Sequence, residues 1–277
     1  MDEKAIKMVN EIRWVDGLKL RSRLEDITYN PMRSQEEFVM RMMRENSKTV
    51  YGRKYGFKSI RNLDDFRRCI PLTTYDDYIS YVERVANGEK NVLTAYLTEY
   101  ISQLDVIRML PQTRWSVQAS YDYSLCSGFY LAGRHGYLME GMTLNLVDDS
   151  VEQLPSGLTV GNLIGRLLVK RDFDNEQVYV IPVDGSAPSN RGNDISLQAL
   201  YALRHKNISL VICERYEYML ELLRYIEKHW PSLAEDIERG NQYVQADPKR
   251  AAVIREVMEF HNIGTQLVEL LWPGFIA

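Results

Sequence analysis

The chain has 277 residues, 45% of them hydrophobic, enough to bury one sizeable core. Lys and Arg number 34 against 38 Asp and Glu, a net charge of -4, which provides no basic field for DNA or RNA. The first residues include Asp2, Glu3 and Lys4 and no uninterrupted apolar run, so we expect no leader and no membrane anchor, and a soluble cytoplasmic protein.

The first ~95 residues read as helices from their apolar spacing. Ile6, Val9, Ile12, Trp14, Leu18, Leu20 and Leu24 recur at helical intervals, and Phe38, Val39, Met42 and Met43 mark a second helix after Pro31 and Ser34. Pro71 blocks backward extension of the next helix, Thr73 or Thr74 can cap it, and Asp76 and Asp77 suit its positive end. Gly88 is the expected stop. From Tyr96 onward strands and helices alternate. Strands are expected at 97–102, 142–147, 177–181 and 208–213, and helices at 113–131, 195–205, 216–229 and 248–260. The pattern predicts an α/β fold with a mainly parallel sheet flanked by helices, a helical segment over 1–95 leading into an α/β unit over 96–277. Residues 184–193 read as a loop.

Residue chemistry excludes several site classes. Cys69, Cys126 and Cys213 are odd in number and widely separated, which argues against a disulfide framework or a zinc site. His135, His205, His229 and His261 lack metal-ligand spacing, and no metal site is expected. Ser127 and Ser156 precede glycines but form no Gly-x-Ser-x-Gly elbow. The charged run from Glu214 to Lys228 reads as a solvated helix face.

Three segments carry a resemblance: KTVYGRKYGFKSIRNLDDFRRCIPLTTYDDYISYVERVANGEKNVLT at 48–94, ALYALRHKNISLVICERYEYMLELLRYIEKHWPSLAEDIERG at 199–240, and Leu271-Trp272-Pro273. Together they resemble, in order, the auxin-responsive promoter family of acyl-acid amido synthetases, a branch of the adenylate-forming, luciferase-like superfamily. The resemblance implies an adenylate-forming-enzyme N-terminal domain, with ATP and Mg as cofactors and a carboxylic acid as ligand. In such proteins a Ser/Thr/Gly-rich loop wraps the ATP phosphates and is followed by a basic residue and a hydrophobic-Pro pair. Here only the flanks match: Ser102 and Gln103 stand where the run begins, Arg108 takes the place of the family's lysine, and Leu110-Pro111 follows.

Between these flanks lie Leu104, Asp105, Val106 and Ile107, without the glycines whose missing Cβ lets backbone amides approach phosphate, and Asp105 opposes a triphosphate by charge. Ser102, Gln103, Arg108 and Thr113 are therefore vestigial nucleotide-binding candidates, and the favoured alternative is a tight strand-to-strand turn. Trp115, Tyr121, Tyr123 and Phe129 are the acyl-pocket candidates that the resemblance implies, and core packing is the competing reading. Family members continue past the Trp-Pro corner with motifs for adenine, ribose and magnesium, whereas this chain stops at Ala277. The resulting expectation is a truncated family member that is inactive alone. Its expected partner is the missing C-terminal half or a second copy docking on an apolar sheet edge. A catalytically dead regulatory or partner-binding module and an acyl-CoA ligase-like half-enzyme are the alternatives. No nucleic acid or membrane partner is expected.

Overall fold

The computed structural model describes residues 3–103, 108–134, 136–147, 151–169, 178–181, 194–213 and 216–260. The chain divides into two compact units, one of Met1–Val15, Gly128–Ser150 and Ile164–Ala277, the other of Asp16–Ser127 and Val151–Leu163. Among the described residues, no helix is long and apolar enough to cross a membrane.

The second unit opens with helices, the first of which begins in the other unit and enters this one at Asp16. The long helix α1 (Glu3–Tyr29) is followed by α2 (Pro31–Glu45), where Pro31 occupies the first turn and Asn30 caps it by accepting the Arg33 amide at 3.3 Å. Helix α3 (Val50–Lys54) is capped by Thr49, whose hydroxyl accepts from Gly52 N–H at 2.9 Å, and α4 (Leu63–Cys69) by Asn62, which accepts from Asp65 N–H at 2.8 Å. Where a helix was expected from Tyr75, a 3-10 turn (Tyr75–Asp77) comes first, with Asp77 reaching back to the Thr74 amide at 2.8 Å. Helix α5 (Ile79–Ala86) follows, and Gly88 ends it at φ 89°. Met43, Tyr51, Phe57 and Ile60 form the core of these helices. The Tyr51 and Tyr78 hydroxyls meet at 3.0 Å, and burial is the largest influence raising the Tyr51 phenol.

A four-stranded sheet completes this unit, in the order β2-β1-β5-β4. Strand β1 (Thr98–Gln103) pairs antiparallel with β2 (Met109–Thr113) and parallel with β5 (Thr159–Gly161), which pairs antiparallel with β4 (Val151–Gln153). The sheet is therefore mixed where a mainly parallel one was expected. Mixed pairing arises here because β1–β2 and β4–β5 join strands consecutive in sequence, for which an antiparallel partner needs no crossover. Tyr100, Ile101 and Ser102 are buried on both faces of the central strand β1.

The two edges of this sheet differ. On β2 the Met109 N–H points away from β1, donating to the Tyr75 hydroxyl at 2.7 Å, while that hydroxyl donates to Met109 O at 3.0 Å. Alternation turns Pro111 outward too, where its missing N–H offers no donor. The Thr113 N–H is taken by Ser116 Oγ at 2.8 Å. Each outward amide of β2 is thus occupied or absent, and the edge is sealed. On β4, Leu154 N–H donates toward β5, to Leu158 O at 2.8 Å. Glu152 consequently faces β5 as well, and Val151 and Gln153 turn their backbone groups outward.

In the first unit, helix α6 (Arg114–Arg134), which begins in the second, leads to β3 (Met142–Leu146). This strand pairs parallel with β6 (Ile208–Cys213) in a two-stranded sheet. Instead of a full strand over 177–181, Tyr179 makes a single parallel bridge to Thr143, and residue 177 lies outside the described residues. Gly141 precedes β3 because a Cβ there would sit 2.7 Å from Asn207 O. Helix α7 (Leu163–Val169) is followed by α8 (Ile195–Arg204), α9 (Tyr216–Arg239) and α10 (Pro248–Phe260). Asp194 caps α8 by accepting the Ser196 and Leu197 amides. The core contains Leu144, Ile181, Leu203, Leu222, Ile226, Ile237 and Ile254, each worth about 1.5–3 kcal/mol by burial. Helix α9 runs through Pro231 to Arg239, past its expected end at residue 229. Pro231 and Glu227 are both exposed, so water can satisfy the carbonyl that loses its amide. The loop expected at 184–193 and the Leu271-Trp272-Pro273 corner lie outside the described residues.

Arg250 closes the C-terminal end of α8: its guanidinium, mostly buried, donates to Leu203 O at 2.6 Å and His205 O at 3.1 Å. Burial, and then the charges of Arg204 and Arg250, lower the His205 imidazole from 6.5 to about 4. Between these values the unfolded chain binds a proton that the folded chain refuses. Stability is therefore fully present above the unfolded value and falls as pH drops toward 4, by at most about 3 kcal/mol. Urea unfolding across this range should show a smaller acid loss in His205→Gln than in the parent chain; equal slopes would remove this account. Replacing Tyr75 by Phe should cost about 1–2 kcal/mol. It should also speed hydrogen exchange at the Met109 amide while leaving Leu110 and Gln112, which face β1, unchanged. An unaltered Met109 rate would show that the hydroxyl does not seal the edge.

Candidate functional site

The β1–β2 hairpin places the nucleotide candidates. Its register sets Gln103 against Met109, Ser102 against Leu110 and Ile101 against Pro111, and residues 104–107 lie outside the described residues. Ser102 is fully buried at 0% exposure. Its hydroxyl donates to Leu110 O at 3.3 Å and accepts from Gln112 Nε2 at 2.8 Å. Gln112 Oε1 in turn accepts from Ser116 Oγ at 2.7 Å. Thr113 caps α6: Ser116 N–H donates to its hydroxyl at 3.2 Å, and its own N–H donates to Ser116 Oγ. Ser102 and Thr113 are thus joined through Gln112 and Ser116 in one chain of hydrogen bonds. Gln103 is exposed at the end of β1, and Arg108 is exposed just before β2.

Two of the four nucleotide candidates have hydroxyls already committed within the protein. The Ser102 hydroxyl both donates and accepts inside the protein, and the Thr113 hydroxyl holds a helix cap. No glycine occurs in the sequence between Gly88 and Gly128 to bring main-chain amides close to phosphate. Among the described residues, no group of three or more His, Cys, Asp or Glu could hold a metal ion. His205 and His229 sit at the end of α8 and within α9, where His229 stacks on Tyr225 at 4.3 Å, and His135 and His261 lie outside the described residues. Gln112 and Ser116 were not singled out from the sequence; the Thr-x-x-Ser spacing at the helix start was the available signal for the latter.

The acyl-pocket candidates lie on α6 with different surroundings. Trp115 is 67% exposed and meets Tyr96 edge-on at 6.4 Å between ring centroids. Tyr121 is half-buried, Tyr123 is 76% exposed, and the side chain of Phe129 lies outside the described atoms. Tyr96 helps line an open cleft of about 320 Å³, with Val85, Lys90, Val92, Ser156 and Leu158. The cleft lies toward Thr98, at the opposite end of β1 from Ser102 and Gln103. Beside it, Arg84 grips Glu89 with two hydrogen bonds of 2.7 and 2.5 Å.

Comparisons with known proteins agree with this architecture. The chain is 24% identical over 231 residues to the indole-3-acetic acid-amido synthetase GH3.15 of Arabidopsis thaliana, covering 79% of this chain and 39% of that relative. It is 23% identical over 280 residues to the indole-3-acetic acid-amido synthetase GH3.6 of the same plant, covering 91% of this chain and 45% of the relative. A solved GH3.15 acyl acid amido synthetase in complex with 2,4-DB superposes with a TM-score of 0.79 at 20% identity, over 93% of this chain and 49% of the other. The chain thus spans less than half the length of these relatives, and the structural match supports the shared fold. The profile of the GH3 family N-terminal domain matches residues 20–276, and the chain belongs to that family.

Proposed function

We propose that this chain is an acyl-acid amido synthetase N-terminal scaffold that does not carry out ATP-dependent adenylation by itself. The observation that carries this reading is the engaged Ser102 hydroxyl, buried and hydrogen-bonded to Leu110 and Gln112 at the position that the resemblance assigns to the phosphate loop. Adenylation must neutralise charge on departing pyrophosphate, and this hairpin supplies neither the glycine amides nor an uncommitted Ser102 or Thr113 hydroxyl for that task. Arg108 supplies one point of positive charge where a cradle needs several donors. Carboxylic acids remain the proposed ligand class, with Trp115, Tyr121, Tyr123 and Phe129 as the contacting set. A relative solved with 2,4-DB supports the class. A second reading, a catalytically silent partner-binding module, is supported by the outward backbone groups of β4.

Titration calorimetry with ATP and magnesium should give no saturable heat, and pyrophosphate exchange with a panel of aromatic and aliphatic acids should stay at background. Micromolar ATP binding that Arg108→Ala weakens would overturn the proposal.

A further inference from the structure

We propose that β4 is a docking edge for an extended segment of another polypeptide, added antiparallel and bearing Lys or Arg opposite Glu152. The inference goes beyond the enzymatic reading and does not depend on it. Its basis is the asymmetry of the four-stranded sheet. The β2 edge is closed by Tyr75, Pro111 and Ser116, whereas Val151 and Gln153 direct their amides and carbonyls outward with no hydrogen-bond partner among the described residues. All three β4 residues are exposed, and Val151 at 55% adds an apolar contact. The strand carries none of the closures found on β2, and its guards against indiscriminate pairing are its length of three residues and the charge of Glu152.

That charge selects the occupant. An incoming antiparallel strand hydrogen-bonds to Val151 and Gln153, which leaves Glu152 at the intervening non-hydrogen-bonded site. Cross-strand side chains are closest at such a site, so the sign of the facing residue counts most there. A second copy of this chain, paired symmetrically over β4, would set Glu152 against Glu152 and be repelled. A basic residue flanked by β-branched ones meets both demands: it pairs with the carboxylate and keeps the added strand extended. Recognition by strand addition obtains its affinity from main-chain bonds and its specificity from alternate side chains.

The test uses a labelled Thr-Val-Lys-Val-Thr peptide and fluorescence anisotropy with the full chain. Saturable binding is expected, with loss in Gln153→Pro. This substitution removes one outward amide while Glu152 and Leu154 keep the ladder to β5. Glu152→Lys should weaken binding by about five-fold or more and favour the Thr-Val-Glu-Val-Thr peptide instead. Thermal unfolding of each variant checks its fold, and a peptide N-methylated on its β4-facing amides tests the same bonds on the unaltered chain and should not bind. Binding that survives both Gln153→Pro and N-methylation, or saturable binding by neither peptide, overturns the proposal. So does a dimer of the chain that Gln153→Pro dissociates, since a second copy would then occupy the edge. ATP plays no part in the assay, so failure here leaves the adenylation reading to its own measurement.

Discussion

The hydrogen bond from Gln112 to Ser102, between two buried side chains on neighbouring strands, is the constraint on which the second unit's chemistry rests. A buried hydroxyl and a buried amide must find partners or incur a desolvation cost of about 1–3 kcal/mol each. Here they find each other, then Leu110 O on one side and Ser116 on the other. The same bonds hold β1 to β2, start α6 and engage the polar atoms of Ser102, Gln112 and Ser116 inside the protein.

Much of this was legible in the chain. The cap near Thr74, the stop at Gly88, the strand over 208–213 and the helix over 248–260 each had a local signal, and each element is present. What local signals could not supply was register. Gln112 meets Ser102 only because Leu110 faces Ser102 across the hairpin, and no periodicity within either strand announces that pairing. Tyr75 stands where a helix was expected to begin, and its hydroxyl serves a strand far along the chain.

Other departures have equally physical reasons. Strands β4 and β5 are too short for alternation to register, although Pro155-Ser156-Gly157 marked their turn, with Gly157 at φ 86°. The apolar row of α1 marked a helix, which is present, but Ile12, Leu18 and Leu24 are 49%, 48% and 40% exposed while Ile6 and Val9 are buried. Periodicity specifies a helix; it does not say what covers it. The helix expected to end at residue 229 continues through Pro231, because on a solvated face the loss of one amide is mild enough for it to do so.

Arg250 has a consequence for how the first unit comes apart. Its guanidinium begins on the first turn of α10 and ends on the final carbonyls of α8, so detaching one helix strips the cap from the other and carries a desolvated cation with it. The two helices consequently melt in concert, as a single cooperative block whose slowest-exchanging amides would include residues distant in sequence.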